Sequence, residues 1–284
     1  MKIVRETIAS FGAPMWIERL KRPHGSAAVI ARWQHLNGRL RISTADAIRV
    51  CLSLSAGQQV RHVERDRSLH KGVLAGDVIV LPAGIPSETT LEGDAEVVQI
   101  FIEPESLGHA VTGMVVAPTI ALKRAAIQLF VAVRLDDWRR RSMAEARLRR
   151  VVHDLLAVPV GDEREHARGG LPPMTLCRAE RLIAEAMDRP NAASPTLREL
   201  AGTARVSVNH FIRAFRQMRG TTPHQLVMTQ RCQRAMSLLR QPDLTVADVS
   251  DAAGYSSPAY FIASFRRQLG VTPGAYQRAV ARNG

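Results

Sequence analysis

The spacing of apolar positions changes along the chain. Between Ser26 and Ile102 they fall in short runs rich in β-branched residues, SAAVIARW, AIRVCLSL, DVIVLP and AEVVQIFI, broken by Asn-Gly, Ala-Gly, Glu-Gly-Asp and Pro-Gly clusters that favour turns. Closely spaced strands of this kind predict a sandwich or a small barrel. Beyond Pro104 the period becomes helical: TIALKRAAIQLFVAV and then DDWRRRSMAEARLRRVVHDLLAV predict two helices packed on or beside the barrel. Residues 159–173, PVGDEREHARGGLPP, are almost without apolar content and have the composition of an exposed linker. From there the pattern is helical throughout, starting with MTLCRAERLIAEAMDR, where Leu176, Ile183 and Met187 share one face. The chain is therefore expected to be a two-domain α+β protein: residues 1–158, a linker at 159–173, and an all-α domain at 174–284.

An internal repeat stands out in the helical part. FIRAFRQMRGTTP at 211–223 recurs as FIASFRRQLGVTP at 261–273. In each copy two phenylalanines four apart, Phe211 with Phe215 and Phe261 with Phe265, bury one helix face. Gly220 and Gly270 then end their helices in a left-handed conformation, and Thr222-Pro223 and Thr272-Pro273 start the next helix as N-cap and first helical residue. Upstream, Thr196-Leu-Arg-Glu199 has the form of a capping box, with Thr245-Val-Ala-Asp248 as a looser counterpart. Ser207 and Ser257 are placed to cap the longer helices that follow. A short helix, a tight turn and a longer helix with a polar outer face form a helix-turn-helix unit, whose second helix enters the major groove. Two such units lie about fifty residues apart, with the uninterrupted segment HQLVMTQRCQRAMSLLR between them. A continuous linker helix there would fix two reading heads for successive major-groove segments, ~34 Å apart along the duplex.

The stretch RCQRAMSLLRQPDLTVADVSDAAGYSSPAYFIASFRRQLGVTPGAYQR, Arg231 to Arg278, and the whole of 174–280 around it, resemble the DNA-binding domain of the AraC family of transcription regulators. That resemblance implies a sequence-specific DNA-binding regulator, an activator that contacts RNA polymerase, acting as a homodimer. Two departures from the family pattern stand in this chain. Arg205 occupies the first turn where a small residue is usual, while Gly254 fills the matching place in the second; a left-handed Arg costs roughly 1 to 2 kcal/mol. The second recognition helix also presents Pro258, Ala259, Ile262 and Ala263 where polar residues are common.

Helix geometry then assigns the contacts. With Phe211, Phe215 and Met218 buried, the first recognition helix turns Asn209, Ile212, Arg213 and Arg216 outward. Asn209, Ile212 and Arg213 are the expected base contacts, since Arg pairs bidentately with guanine and Asn with adenine. Ser207, Arg216, Ser257, Arg266 and Arg267 are the expected backbone contacts, which orient the protein without reading sequence.

In the N-terminal part, Gly76-Asp-Val-Ile-Val-Leu-Pro82-Ala-Gly84 resembles the second motif of cupin barrels, and cupin-like sensor domains commonly precede AraC-type domains. The resemblance implies a small organic effector in the barrel mouth, or dimerisation through the helices at 118–158. In metal-binding cupins a His follows the motif glycine by three residues, and here that place is Ser87. His62 and Glu64 do not make the three ligands that zinc or non-haem iron needs, so no metal and no cofactor are expected. These two, with His35 and His70, are expected as surface or barrel-mouth side chains. The Arg-rich run from Arg139 through Arg150 is expected to be the solvated face of an amphipathic helix.

Charge and cysteine content bear on partners and compartment. The net charge is +13, and residues 171–284 hold 15 Arg, no Lys and 7 acids, a net of +8, against +5 for residues 1–170. Such a balance suits polyanionic DNA, although 35 Arg against 4 Lys is also how a GC-rich genome writes positive charge. Cys51, Cys177 and Cys232 are an odd number without CxxC spacing, which argues against a disulfide framework and for a reducing cytoplasm. Charges interrupt the N-terminus before any apolar stretch forms, so neither a signal peptide nor a membrane helix is expected. A binding protein without chemistry is the leading expectation. The competing one is a cupin-type metal-dependent enzyme with an accessory helical domain, which lacks a metal ligand set and any nucleophile and base arrangement.

Overall fold

The computed structural model describes residues 1–20, 28–42, 44–56, 58–64, 67–107, 120–157, 178–179, 181–183, 195–219 and 221–281. The predicted linker at 159–173 lies outside the described residues, as do Leu176 and Met187. The chain divides into two compact units, Met1–Pro159 together with Phe265–Gly284, and Val160–Ser264.

The first unit opens with helix α1 (Lys2–Phe11), followed by strands β1 (Trp16–Leu20), β2 (Ala28–Ile42), β3 (Ile48–Ser53), β4 (Gln59–Glu64), β5 (Arg67–Gly72), β6 (Val78–Leu81) and β7 (Ser87–Ile102). Among the described residues these seven strands form a single antiparallel sheet. Sequence patterning anticipates β2, β3, β6 and the end of β7. It misses α1, β1, β4 and β5, and it underestimates the length of β2 and β7.

Those two long strands organise the unit. Their pairing shifts register between Trp33 and Gly38, and Gly38 (φ 128°) and Gly93 (φ 98°) supply the left-handed backbone needed at the bend. On one side of it, β7 pairs with β3 through Ile48↔Ile102 to Ser53↔Val97; on the other, with β4 through Gln59↔Glu92 to Glu64↔Ser87. The sheet thus has two wings. Its hydrogen-bonded path β1-β2-β7-β3-β6 ends at β1 and β6 and does not close on itself among the described residues.

Strand β3 is buried at every position but the half-buried Cys51, because both faces set up by strand alternation are covered. Ile48, Val50 and Leu52, all fully buried, share a face of the wing that packs on helix α2 (Ile120–Arg134). Arg49, Cys51 and Ser53 point the other way, into the space between the wings. Helix α2 is buried from Leu122 to Val133 along most of its surface and packs in turn against helix α3 (Trp138–Ala157). Helix α1 closes the opposite side, adding Ile3 and Val4 to a core of Trp33, Leu36, Leu40 and Phe101.

Two sequence expectations are corrected here. His62 and Glu64 are interior, 1% and 3% exposed, because alternation along β4 turns Val60, His62 and Glu64 inward while Arg61 faces out. His70 is exposed, as expected. The Arg-rich run is solvated at Arg139, Arg140, Arg147 and Arg150, but Arg149 is buried and paired with Glu145 at 3.0 Å, and Arg141 pairs with Glu18. No helix among the described residues is long and apolar enough to cross a membrane.

In the second unit, Ala179 and Ile183, both helical, join a core with Leu200, Ala201, Phe211, Ala214, Phe215 and Val227. Five further helices are described from there on: α4 (Leu197–Ala204), α5 (Val208–Arg219), α6 (Pro223–Leu238), α7 (Val246–Ala252) and α8 (Pro258–Leu269), the last of which runs across the division between units. Helix α9 (Pro273–Ala281) belongs to the first unit.

Candidate nucleic-acid interface

Both capping boxes form. Thr196 accepts from the Glu199 amide at 3.2 Å while Glu199 accepts from the Thr196 amide at 2.7 Å, so α4 starts with two of its free amides satisfied. Thr245 and Asp248 do the same for α7, at 3.2 and 2.9 Å, despite the shorter carboxylate. These bonds hold both carboxyls below their ordinary values: for Glu199 chiefly the Thr196 amide, for Asp248 chiefly the Thr245 hydroxyl.

The turns after α4 and α7 are left-handed at matching places. Arg205 has φ 52° and ψ 38°, and Gly254 has φ 78°. The first turn therefore keeps helix-turn-helix geometry in spite of its Arg, at the cost of a strained backbone. Ser207 then accepts from the His210 amide at 3.3 Å and Ser257 from the Tyr260 amide at 3.2 Å, which caps α5 and α8 as the sequence predicts.

Helix α5 buries Phe211, Ala214 and Phe215 and leaves Asn209, Arg213 and Arg216 exposed. These three stand at i, i+4 and i+7, one stripe along the helix. Ile212 is half-buried beside them. The Met218 side chain and Gly220 lie outside the described residues. Helix α8 buries Phe261, Ser264, Phe265 and Leu269, with the Phe261 ring 4.8 Å from that of Tyr255. Pro258, Ala259, Ile262, Ala263, Arg266 and Arg267 are exposed, and Ser257 is half-buried at the cap. Gly270 ends α8 with φ 76°, and Thr272 caps α9 through the Ala275 amide at 3.3 Å. Between the two helix-turn-helix motifs, Thr222 and Gln225 form a third capping box and Pro223 is the first residue of α6, whose 16 residues are unbroken and span about 24 Å.

Two polar side chains at this surface escape sequence reasoning. His210 lies beside Arg213, with 3.5 Å between Nδ1 and Nη2. Tyr260 is 38% exposed, its ring 6.2 Å from Tyr255. A phenol that stands next to a buried Phe has no periodic signal to mark it as outward, and only the packing of Tyr255 underneath does so.

Residues 200–279 match the family model described as a helix-turn-helix domain. The chain carries a helix-turn-helix domain. Proteins similar to it include the HTH-type transcriptional regulator GlxA of Rhizobium meliloti, 34% identical over 149 residues, covering 52% of this chain and 41% of that protein. A putative AraC-like transcription regulator of Streptomyces lividans is 32% identical over 92 residues, covering 32% of this chain and 30% of the other. Among solved structures, the DNA-binding domain of AdpA in complex with a target DNA is 35% identical, with 36% of this chain and 90% of that one covered and a TM-score of 0.32. The chain spans between 28% and 41% of the length of the first curated relatives it matches. The similarity to the helix-turn-helix domain's relatives is one of sequence.

Proposed function

We propose that this protein is a sequence-specific DNA-binding transcription regulator of the AraC type, with residues 174–284 as its DNA-binding domain, 159–173 as a linker and 1–158 as a sensor. The observation that carries the reading is the duplicated unit: two capping boxes, two left-handed turns and two serine-capped helices, each burying a Phe pair and facing outward with its other side. The names of the similar regulators support it, as does the net charge of +8 on residues 171–284.

In this reading α5 reads bases through Asn209, Ile212 and Arg213, and Ser207, Arg216, Ser257, Arg266 and Arg267 grip phosphates. The cap serines can accept from the helix amide and still donate their own proton to a phosphate. The N-terminal unit is a cupin-like sensor for a small organic effector. It also pairs two copies through α3, where Trp138 and Met143 are 71% and 76% exposed. The protein works in the cytoplasm as an activator that meets RNA polymerase on its promoters. It carries out no catalysis.

Selection of duplexes from a randomised library by the purified full chain tests this. A single enriched motif is expected, bound with affinity that falls steeply with salt. Retention of all sequences alike would overturn the reading. Stoichiometric iron or zinc in the purified protein would favour the cupin enzyme in its place.

A further inference from the structure

Between the two wings of the N-terminal sheet lies a cavity of about 60 Å³. That is room for about four waters, or for a ligand of similar bulk. Its walls are mostly apolar: Leu40, Val60, Leu91 and Val97 come from both wings. Set among them are Arg49, His62 and Gln99, which are 1%, 1% and 5% exposed.

These three polar side chains are short of partners. A buried guanidinium is costly unless its charge is met and its donors are taken. Yet Arg49 donates from Nη2 to the Ser87 hydroxyl at a long 3.4 Å, and its Nε has no acceptor among the described residues. Glu6 and Glu64 act on it through space. His62 Nδ1 lies 2.7 Å from the Thr89 hydroxyl, and Nε2 has no hydrogen-bond partner among the described residues, with a Glu64 carboxylate oxygen 3.8 Å away. Burial, and then the Arg49 charge, lower this ring to about 4, so it is neutral at physiological pH. In the tautomer in which the Thr89 hydroxyl donates to Nδ1, the ring proton sits on Nε2 as a second free donor. Gln99 Oε1 is a buried acceptor without a donor among the described residues. The carboxylate in the lining, Asp77, already accepts from the Leu74 amide at 3.2 Å.

We propose that this cavity binds a small aliphatic carboxylic acid, its carboxylate on Arg49 and His62 and its chain among the apolar walls. Two free donors and a positive charge call for an anionic oxygen pair. The volume limits the chain to about three to five carbons. The free acceptor on Gln99 favours acids that carry a hydroxyl. Ser87 has a part in this: where metal-binding cupins have a histidine, it holds the guanidinium. The inference rests on the reading of the N-terminal unit as a sensor and adds the chemistry of what it senses.

Calorimetry on the full chain with butanoate, 3-hydroxybutanoate, butanamide and 1-butanol tests it. Butanoate is expected to bind at least tenfold more tightly than butanamide, and 3-hydroxybutanoate more tightly still. In R49M, checked for native circular dichroism, the preference of acid over amide disappears. Should R49M not fold, V60F, which fills the cavity and keeps Arg49, must abolish acid binding. Equal binding of acid and amide, retention of the preference in R49M, or no binding by any of the four would overturn the carboxylate site. The sensor reading fails in a different way: an acid that binds as predicted yet leaves the affinity for the selected DNA unchanged by fluorescence anisotropy.

Discussion

Arg205 and Gly254 close the turns of the two helix-turn-helix units in the same left-handed conformation, at φ 52° and 78°. Glycine adopts that conformation freely, whereas arginine's Cβ crowds the following carbonyl at roughly 1 to 2 kcal/mol. Arg205→Gly is therefore expected to stabilise the protein. Part of the gain is offset by the freer unfolded chain, which leaves about 0.5 to 1 kcal/mol in a urea melt. Gly254→Ala should destabilise by a similar or larger amount. No gain in Arg205→Gly would mean that the turn is not strained as described.

The two recognition helices are expected to contribute unequally. Arg213→Ala should relax specificity at one or two base pairs by roughly 1 to 3 kcal/mol, whereas Arg266→Ala should weaken all sequences alike and lower the salt slope by about one. Both are measured against a library of randomised half-sites. Equally strict base pairs under both helices, on unbent DNA, would refute the asymmetry.

Tyr260 qualifies that asymmetry, because its exposed hydroxyl is the donor that Pro258, Ala259, Ile262 and Ala263 lack. Tyr260→Phe keeps the contact with Tyr255 and removes only the hydroxyl. Loss of about 0.5 to 1.5 kcal/mol of DNA affinity is expected, with folding stability unchanged. Unaltered binding would remove Tyr260 from the interface.

Burial keeps His62 neutral, and the sign of its effect on stability follows. Its folded value of about 4 lies below the ordinary 6.5, so between these the unfolded chain takes up the proton more readily. The stability it permits is complete above pH 6.5 and is lost as pH falls towards 4, by up to about 3 kcal/mol. The His62→Gln variant should lack that slope in melts at stepped pH, and an identical slope would show that other groups carry it.

Glu199 and Asp248 are also held below their ordinary values, by the hydrogen bonds of their capping boxes. Their capping boxes are whole above the ordinary carboxylate range and open as pH falls through their lowered values. Thr245→Ala, which removes the reciprocal acceptor, should cost about 1 kcal/mol at neutral pH. A cost no different from that of an exposed Thr elsewhere would argue against the box.

Sequence alone determined the helical half closely. Capping, helix termination and i, i+4 burial are local physics, so Thr196 with Glu199, Ser207, Ser257 and the Phe pairs announce their own geometry within a few residues. The left-handed turn at Arg205 was legible only through its counterpart Gly254, because arginine's own propensity points away from it. In the N-terminal half, tertiary structure decided what the pattern left open. Strands β4 and β5 carry too much charge to announce themselves; what makes them strands is the pairing of β4 with β7, some thirty residues away in the chain, and of β5 with β4. Whether His62, Glu64 and Arg49 face solvent or interior depends on which side of the sheet receives α2 and which faces the other wing. That choice is made by the bend of β2 and β7 near Gly38 and Gly93. A run of alternating residues fixes that its faces differ, and only the partner that covers a face decides which one is inside.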